Sequence, residues 1–285
     1  MAERNVLLAT NIDDIRGGLP AVLADWGTAW ASEKYDGLRA TATLDPYGDA
    51  VLLSSQGKAF SVLCSWRAKL TKVIKTLNAY YGKNVVLDGE LWLGRGSMQA
   101  TQSIVRRKEP DSRWKDMIYQ VFDVPTLGVM SSAKGGLELI ASMRYREVQA
   151  ADQQLVSDPS EVDGFFDHII SEGGEGLMLR HPKLLWQPKR SRHLLKIKPE
   201  NDGECVVTGY TAGKGRLEGM LGALAVNWTN DKGTVSFELA GLSDAERSVG
   251  WETRFPIGGE VPFRYTSLTD RGVPREARYW RGRCS

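Results

Sequence analysis

Ser32-Glu33-Lys34-Tyr35-Asp36-Gly37-Leu38-Arg39-Ala40 is the stretch that decides how the rest of the chain folds. A lysine set in K-x-D-G-x-R suits a nucleophile that forms a phosphoramide bond to a nucleotide. Taken alone, the same letters also describe a solvated strand end running into an Asp-Gly turn. Partners further along the chain have to separate the two.

Working outward, the apolar and β-branched runs between Thr41 and Leu53, broken at Asp45-Pro46-Tyr47-Gly48, predict a hairpin and place Lys34 at a strand edge. From Phe60 to Tyr81, Val62, Leu63, Trp66, Leu70, Val73, Ile74 and Leu77 recur at helical spacing, and Gly82 ends the pattern. Val85 to Leu93 predicts a strand carrying two acids, Asp88 and Glu90, and Met117 to Val124 predicts another. Helical patterns at Leu137 to Leu155 and Glu161 to Ser171 lead to Glu175-Gly176-Leu177-Met178-Leu179-Arg180, and a strand follows over His193 to Lys198. Pro199-Glu200-Asn201-Asp202-Gly203 is a turn-rich boundary. Beyond it, alternating runs such as Cys205 to Tyr210 and Ala223 to Trp228 predict roughly five strands, which suits a small barrel of the oligonucleotide-binding type.

The 285 residues suffice for two modest domains, and 37 basic against 35 acidic side chains give a formal charge of +2. Global charge therefore does not mark a nucleic-acid binder, but local charge does. Arg180 to Lys198 holds seven lysines and arginines and no acid, and Arg271 to Arg283 holds five arginines against Glu276 alone. Three scattered cysteines, Cys64, Cys205 and Cys284, argue against a disulfide framework or a four-cysteine zinc site and fit a reducing compartment. The N-terminus lacks the features of a signal peptide, and no stretch approaches the roughly 20 apolar residues of a membrane span. The expectation is a cytoplasmic protein without a membrane partner.

An acid inside an apolar strand must be satisfied by something, which draws attention to Glu90 and Glu175. Each follows a glycine that permits close approach of backbone or ligand, and each can equally be a salt-bridge partner of a nearby lysine. Lys196 and Lys198 stand two apart on one strand and can face one phosphate group. With Lys34 these residues form a set of alternating sign suited to a metal-bound triphosphate.

The chain resembles the ATP-dependent DNA ligases of the covalent nucleotidyltransferase superfamily, closest to the minimal bacterial and phage enzymes. The resemblance rests on five motifs in the family's order: Glu33 to Arg39, Leu87-Asp88-Gly89-Glu90-Leu91, Val121-Phe122-Asp123-Val124, Glu175 to Arg180, and Leu195-Lys196-Ile197-Lys198. It implies an α+β fold, with a nucleotidyltransferase (adenylation) domain of antiparallel sheets and flanking helices over residues 1–200. A small all-β OB-fold barrel over residues 201–285 follows.

The resemblance further implies that Lys34 attacks the α-phosphorus of ATP and carries AMP, which requires a neutral amine favoured by cationic neighbours such as Lys196 and Lys198. Both of those lysines would act in catalysis and touch the nucleotide, as would Glu33, Arg39, Glu90, Phe122 (stacked on the adenine) and Glu175. Glu90 and Glu175 would hold magnesium, for which manganese can substitute. The partner implied is nicked double-stranded DNA, gripped by a monomer through Asp36, Arg39, Lys58, Lys189, Arg190, Arg192, Arg275, Arg281 and Arg283. Two departures stand out. Ser55 occupies a position where many relatives have arginine, with Lys58 as a substitute, and a C-terminal R-x-D-K-type motif is not found. RNA ligases and capping guanylyltransferases share the lysine chemistry and remain alternatives, as does a catalytically silent nucleic-acid-binding module. The cysteines do not support the zinc modules of a NAD-dependent ligase.

Overall fold

The computed structural model of the chain describes residues 6–280, so Arg281, Arg283 and Cys284 lie outside the described residues. The chain divides into two units, the first ending at Ile197 and the second beginning at Lys198.

The first unit is built on two five-stranded sheets. One has the order β1 (Leu8–Asn11), β10 (Arg190–Ile197), β9 (Leu177–Arg180), β2 (Ala29–Glu33), β8 (Gln153–Val156). The other has the order β4 (Ala50–Ser54), β3 (Leu38–Leu44), β5 (Leu87–Trp92), β6 (Ile118–Asp123), β7 (Val148–Ala150). The hairpin joining β3 to β4 is closed by the Asp45 carboxylate, which accepts from the amides of Tyr47 and Asp49, each at 2.9 Å. Most pairings are antiparallel, but β1 with β10 and β6 with β7 run parallel, so the sheets are mixed.

Helices α1 (Gly18–Trp26), α2 (Cys64–Tyr81), α3 (Met98–Val105), α4 (Met130–Ser142) and α5 (Pro159–Ser171) cover these sheets. α2 sends Trp66, Leu70, Val73, Ile74 and Leu77 onto Ala40, Ala42, Leu52, Leu87, Leu91 and Tyr119. α1 and α5 send Val22, Leu23, Val162 and Ile169 onto Ala29, Ala31, Leu177, Leu179 and Leu195. Burying a Leu- or Val-sized side chain is worth roughly 1.5–3 kcal/mol, so these two cores hold the sheets firmly. Strand alternation then fixes what the opposite faces carry. Arg39, Asp88, Glu90 and Phe122 alternate with the core residues of β3, β5 and β6, and Met178 and Arg180 alternate with those of β9.

Several boundaries differ from the sequence expectation. α2 begins at Cys64 rather than near Phe60, whose amide instead donates to the carbonyl of Leu52 at 2.9 Å and extends the hairpin. The helical pattern expected to run to Leu155 stops at Ser142; Arg144 adopts a left-handed φ of 54°, and Val148 then pairs in parallel with Tyr119. Asn201-Asp202-Gly203, expected as a turn, starts a strand. A Cβ on Gly203 would stand 3.1 Å from the Phe263 ring and 3.2 Å from Trp228, so the strand here packs tightly against both rings.

The second unit is a five-stranded antiparallel sheet of order β13 (Gly233–Leu239), β12 (Leu221–Asn230), β11 (Asn201–Ala212), β14 (Glu260–Tyr265), β17 (Arg278–Tyr279). A bridge between Ala240 and Arg278 joins the two outer ends and curls the sheet into an OB-fold barrel. Two short helices, α6 (Asp244–Arg247) and α7 (Trp251–Arg254), and the ribbon of β15 (Ser267–Leu268) with β16 (Pro274–Arg275) complete it. Its core is Cys205, Val207, Leu224, Val226, Leu239, Phe255, Val261 and Phe263. No helix among the described residues is long and apolar enough to cross a membrane.

Gly89 is one of the glycines that the fold requires by contact rather than by φ. A Cβ on Gly89 would lie 2.5 Å from the Gln120 carbonyl and 2.7 Å from the Tyr119 ring. Gly89→Ala should therefore lower the unfolding free energy by about 1–3 kcal/mol, the cost of overpacking a tight core. A denaturant titration with unchanged midpoint would show that β5 and β6 can separate freely.

Candidate active site

Lys34 follows the last residue of β2, and its amide donates to the carbonyl of Gly176 at 2.8 Å. This bond continues the antiparallel pairing of Glu33 with Leu177 and brings the Glu175 side chain opposite the lysine. The Lys34 Nζ donates to Glu175 Oε2 at 2.5 Å. Two glycines flanking this pair pack tightly against neighbouring elements. A Cβ on Gly37 would meet the Leu91 carbonyl at 2.2 Å, and one on Gly174 would meet Ile169 at 2.4 Å.

Lys34 opens into a cavity of about 160 Å³ whose wall includes Glu33, Arg39, Glu90, Phe122 and Lys196. Five strands of both sheets thus deliver six of the sequence-predicted residues to one place, with Glu175 joined to them through Lys34. Lys196 stands opposite Met178 across the pairing of β10 with β9, and Met178 also lines the cavity. Lys198 begins the second unit, where its Nζ donates to Glu276 at 2.8 Å. Asp36 lies half-buried in the link from β2 to β3 and is not part of the cavity wall.

The residues assigned to the nucleic-acid surface fall in separate places. Lys189, Arg190 and Arg192 line a groove of about 490 Å³ together with Lys183 and His193. Arg190 also donates to the carbonyl of Ala9. Lys58 lies in a different cleft, between the end of the β3–β4 hairpin and the C-terminal end of α3. Arg275 sits in β16 of the second unit.

The structure adds four features to the expected set of site residues. Arg95 forms a fork on Glu33, with Nε to Oε1 at 2.9 Å and Nη2 to Oε2 at 3.0 Å. Asp88, fully buried, accepts from Arg39 at 2.6 and 2.7 Å and from the Trp186 indole at 2.6 Å. Arg180 donates to the Ser32 hydroxyl at 2.7 Å and lies 5.0 Å from the Phe122 ring centre, with Arg39 at 4.5 Å from the same centre. Tyr35 also lines the cavity, its ring edge against Trp92.

The electrostatics follow from this crowding. Burial pushes the Glu90 carboxyl up to about 8; Arg39 and Lys34 oppose that, whereas Asp88 and Glu175 add to it. Burial likewise raises Asp123 to about 6, with Asp88 adding to the rise and Arg180 opposing it. The Arg180 guanidinium is brought down to about 10 by burial, against the pull of Asp123. Burial keeps the Tyr35 phenol protonated far above its ordinary value, reinforced by Glu33 and Asp152.

Glu90, half-buried in the cavity wall, accepts no hydrogen bond and forms no ion pair among the described residues, so its carboxyl group is left for a ligand of the cavity. Two carboxylates, Glu90 and Glu175, are hard oxygen donors of the kind magnesium takes while keeping waters and substrate phosphates as its other ligands. The described residues hold no cluster of three or more His, Cys, Asp or Glu side chains placed to bind a metal.

Comparison with known proteins places these residues in context. The sequence profile described as the ATP dependent DNA ligase domain matches residues 8–198, and that of the DNA ligase OB-like domain matches residues 212–283. The DNA ligase of Haemophilus influenzae is 29% identical over 261 residues, covering 88% of this chain and 85% of that protein. The DNA ligase of Haloarcula marismortui is 26% identical over 249 residues, covering 81% of this chain but 43% of the longer relative. Among solved structures, one from a structure-function study of Lig E DNA ligases, on DNA binding with a minimal scaffold, superposes with a TM-score of 0.74 at 28% identity, covering 97% of this chain and 98% of that one. The bacteriophage T7 ligase in complex with ATP shares the fold, with a TM-score of 0.59 at 19% identity and 98% of each chain covered.

The raised Glu90 carboxyl has a consequence for stability. Between the ordinary glutamate value of 4.5 and its folded value of about 8, the folded protein holds a proton that the unfolded chain has released. Its stabilising contribution is therefore complete below the lower value and is lost as pH rises through the upper one. Unfolding free energies of the metal-free protein should fall across this window, and Glu90→Gln should flatten the fall while leaving the smaller share due to Asp123. Parallel pH profiles for wild type and Glu90→Gln, measured by denaturant unfolding, would refute the assignment.

Proposed function

The chain belongs to the ATP-dependent DNA ligase family, and from that premise we propose that it seals 5′-phosphate/3′-hydroxyl nicks in duplex DNA through AMP carried on Lys34. The observation that carries this reading is the Lys34 amine, held at 2.5 Å by Glu175 at the mouth of a cavity with Glu90, Phe122, Arg39 and Lys196 around it.

In the first step the Lys34 nitrogen attacks the α-phosphorus of ATP, an N–P bond forms, and the P–O bond to pyrophosphate breaks. The amine has to shed a proton first. Glu175, already hydrogen-bonded to it and partly open to solvent, is the group placed to pass that proton on to water, returning to its ionised form, and to keep the nitrogen aimed. The Phe122 ring, steadied by Arg39 and Arg180, offers the adenine a flat apolar surface, and Lys196 faces the phosphates. A magnesium ion held by Glu90 and Glu175 would neutralise charge on the phosphates. Glu33 is fixed by Arg95 and presents its carboxylate at the cavity edge to the nucleoside.

In the second step a 5′-phosphate oxygen of the nicked strand attacks the same phosphorus and the N–P bond to Lys34 breaks. In the third the 3′-hydroxyl attacks the 5′-phosphorus and AMP leaves. All three are in-line displacements that depend on positioning and charge neutralisation. The groove of Lys189, Arg190 and Arg192 and the Arg275 side chain are assigned to the duplex backbone.

Incubation with labelled ATP should leave AMP on the wild type and none on Lys34→Ala, and nick sealing by the variant should drop at least about 10³-fold. Glu175→Gln should slow label transfer while leaving the fold intact. Label that persists on Lys34→Ala would sink the proposed nucleophile, and guanylate from GTP with nothing from ATP would reassign the nucleotide.

A further inference from the structure

Both chain neighbours of Lys34 are held by one short stretch elsewhere in the sequence. Glu33, before the lysine, takes the two-bond fork of Arg95, and Tyr35, after it, takes the edge of the Trp92 ring at 5.1 Å between ring centres. Trp92 is the last residue of β5, and Arg95 lies in the link from β5 to α3. The strand that carries Glu90 therefore also brackets the nucleophile.

The same guanidinium reaches a third segment. Arg95 Nη1 donates to the Glu172 carbonyl at 3.3 Å and stands 3.6 Å from the Glu172 carboxylate. Glu172 is the C-cap of α5 and opens the link Glu172-Gly173-Gly174-Glu175-Gly176, which runs to β9 and carries Glu175. Three glycines in five residues give this link little stiffness of its own. Glu33 lies against it as well, since a Cβ on Gly174 would stand 3.2 Å from Glu33 Oε1. Arg95 thus joins the residue before Lys34, the link that holds Glu175 and the continuation of the Glu90 strand. Lone surface ion pairs contribute little, but a charged fork fixes the plane of its carboxylate as well as its distance. Arg95 is not part of the cavity wall, whereas Glu33 is, so the arginine acts through the groups it holds.

We propose that Arg95 is a positioning residue for the first step of the reaction: by tying Glu33 to the Glu172–Gly176 link, it holds the Lys34 amine and the Glu175 carboxylate in the geometry that attack on the α-phosphorus needs. The inference rests on the ligase reading and deepens it by separating the steps. An in-line displacement loses rate steeply when its nucleophile is misplaced. Lys34 is the nucleophile of the first step alone. In the third step the 3′-hydroxyl attacks, and that group arrives with the DNA. Loss of Arg95 should therefore slow adenylation of the protein far more than it slows the final closure of the nick.

The test compares wild type with Arg95→Ala, which removes the side chain, and Arg95→Lys, which keeps the charge but not the fork. Two reactions are followed: transfer of AMP from ATP to the protein without DNA, and sealing of a nick supplied already adenylated on its 5′-phosphate. The kcat for AMP transfer should fall roughly 10- to 100-fold in both variants, the range expected of a nucleophile misplaced by about an ångström, with KM for ATP within about threefold of wild type. Sealing of the adenylated nick should stay within about threefold, which also reports an intact fold. Added methylguanidinium should restore part of the AMP transfer to Arg95→Ala and none to Arg95→Lys, whose side chain fills the space. Equal losses in both reactions of Arg95→Lys, unchanged AMP transfer, or a raised KM with unchanged kcat would each overturn the positioning role. Failure of the wild type to take AMP from ATP would instead overturn the ligase reading, and the role of Arg95 with it.

Discussion

The fully buried Asp88 carboxylate is the interaction on which the first unit depends. A carboxylate removed from water costs several kcal/mol unless its oxygens are satisfied. Here both are: Arg39 binds them in a fork from the neighbouring strand, and the Trp186 indole reaches in from the segment between β9 and β10. One side chain therefore ties a central strand of one sheet to the connection between two strands of the other. The bond also decides where Arg39 goes. Burial works against the charge of that guanidinium, but Asp88, joined by Glu90 and Asp123, more than offsets it, so the cation stays ionised and fixed over Phe122. Glu90, two residues along β5 on the same face, has no such partner, and burial makes it the site's proton-holding carboxyl. Two acids on one strand thus take opposite roles because one has a fork of donors and the other has none.

The period of two made much of this legible. Once Leu87 and Leu91 are placed in the core, Asp88 and Glu90 must share the other face, and the same logic applied to β3 and β6 brings Arg39 and Phe122 there. What remained hidden is the set of supports. Arg95 meets Glu33 across 62 residues, Trp186 meets Asp88 across 98, and Arg180 meets Ser32 across 148. None of these pairs leaves a local pattern. Lys198 shows the limit of the periodic argument from the other side: alternation predicts that it shares a face with Lys196, but β10 ends at Ile197, and Lys198 is held by Glu276 in the second unit. The stretch after Ser142 failed for a related reason. The strands β7 and β8 have three and four residues, too few to outweigh apolar positions that also fit a helix.

Glycine gives the K-x-D-G and D-G-E patterns a physical meaning that composition does not. Gly37 and Gly89 have ordinary negative-φ backbone, so neither is required by a turn. Both are required by contact: a side chain on either would strike a backbone carbonyl, of Leu91 in one case and Gln120 in the other. The strand after Lys34 can therefore lie directly over β5, which sets the lysine and Glu90 beside one cavity. The motif glycines are thus packing residues, and the strands they hold carry the Lys34 amine, which stands 2.5 Å from the Glu175 carboxylate.

That distance bears on the order of events in the proposed reaction. While the Lys34 amine carries its proton, Glu175 holds it at 2.5 Å and the two charges cancel. A protonated amine has no lone pair to give, so the pair is a resting arrangement. Loss of the proton converts the ion pair into an ordinary hydrogen bond and returns a full negative charge to Glu175. In the proposed reaction Glu175 and Glu90 would offer that charge to a divalent cation accompanying the nucleotide phosphates, and the charge of such a cation would favour the neutral amine. Glu175 would thereby link deprotonation of Lys34 to the filling of the site.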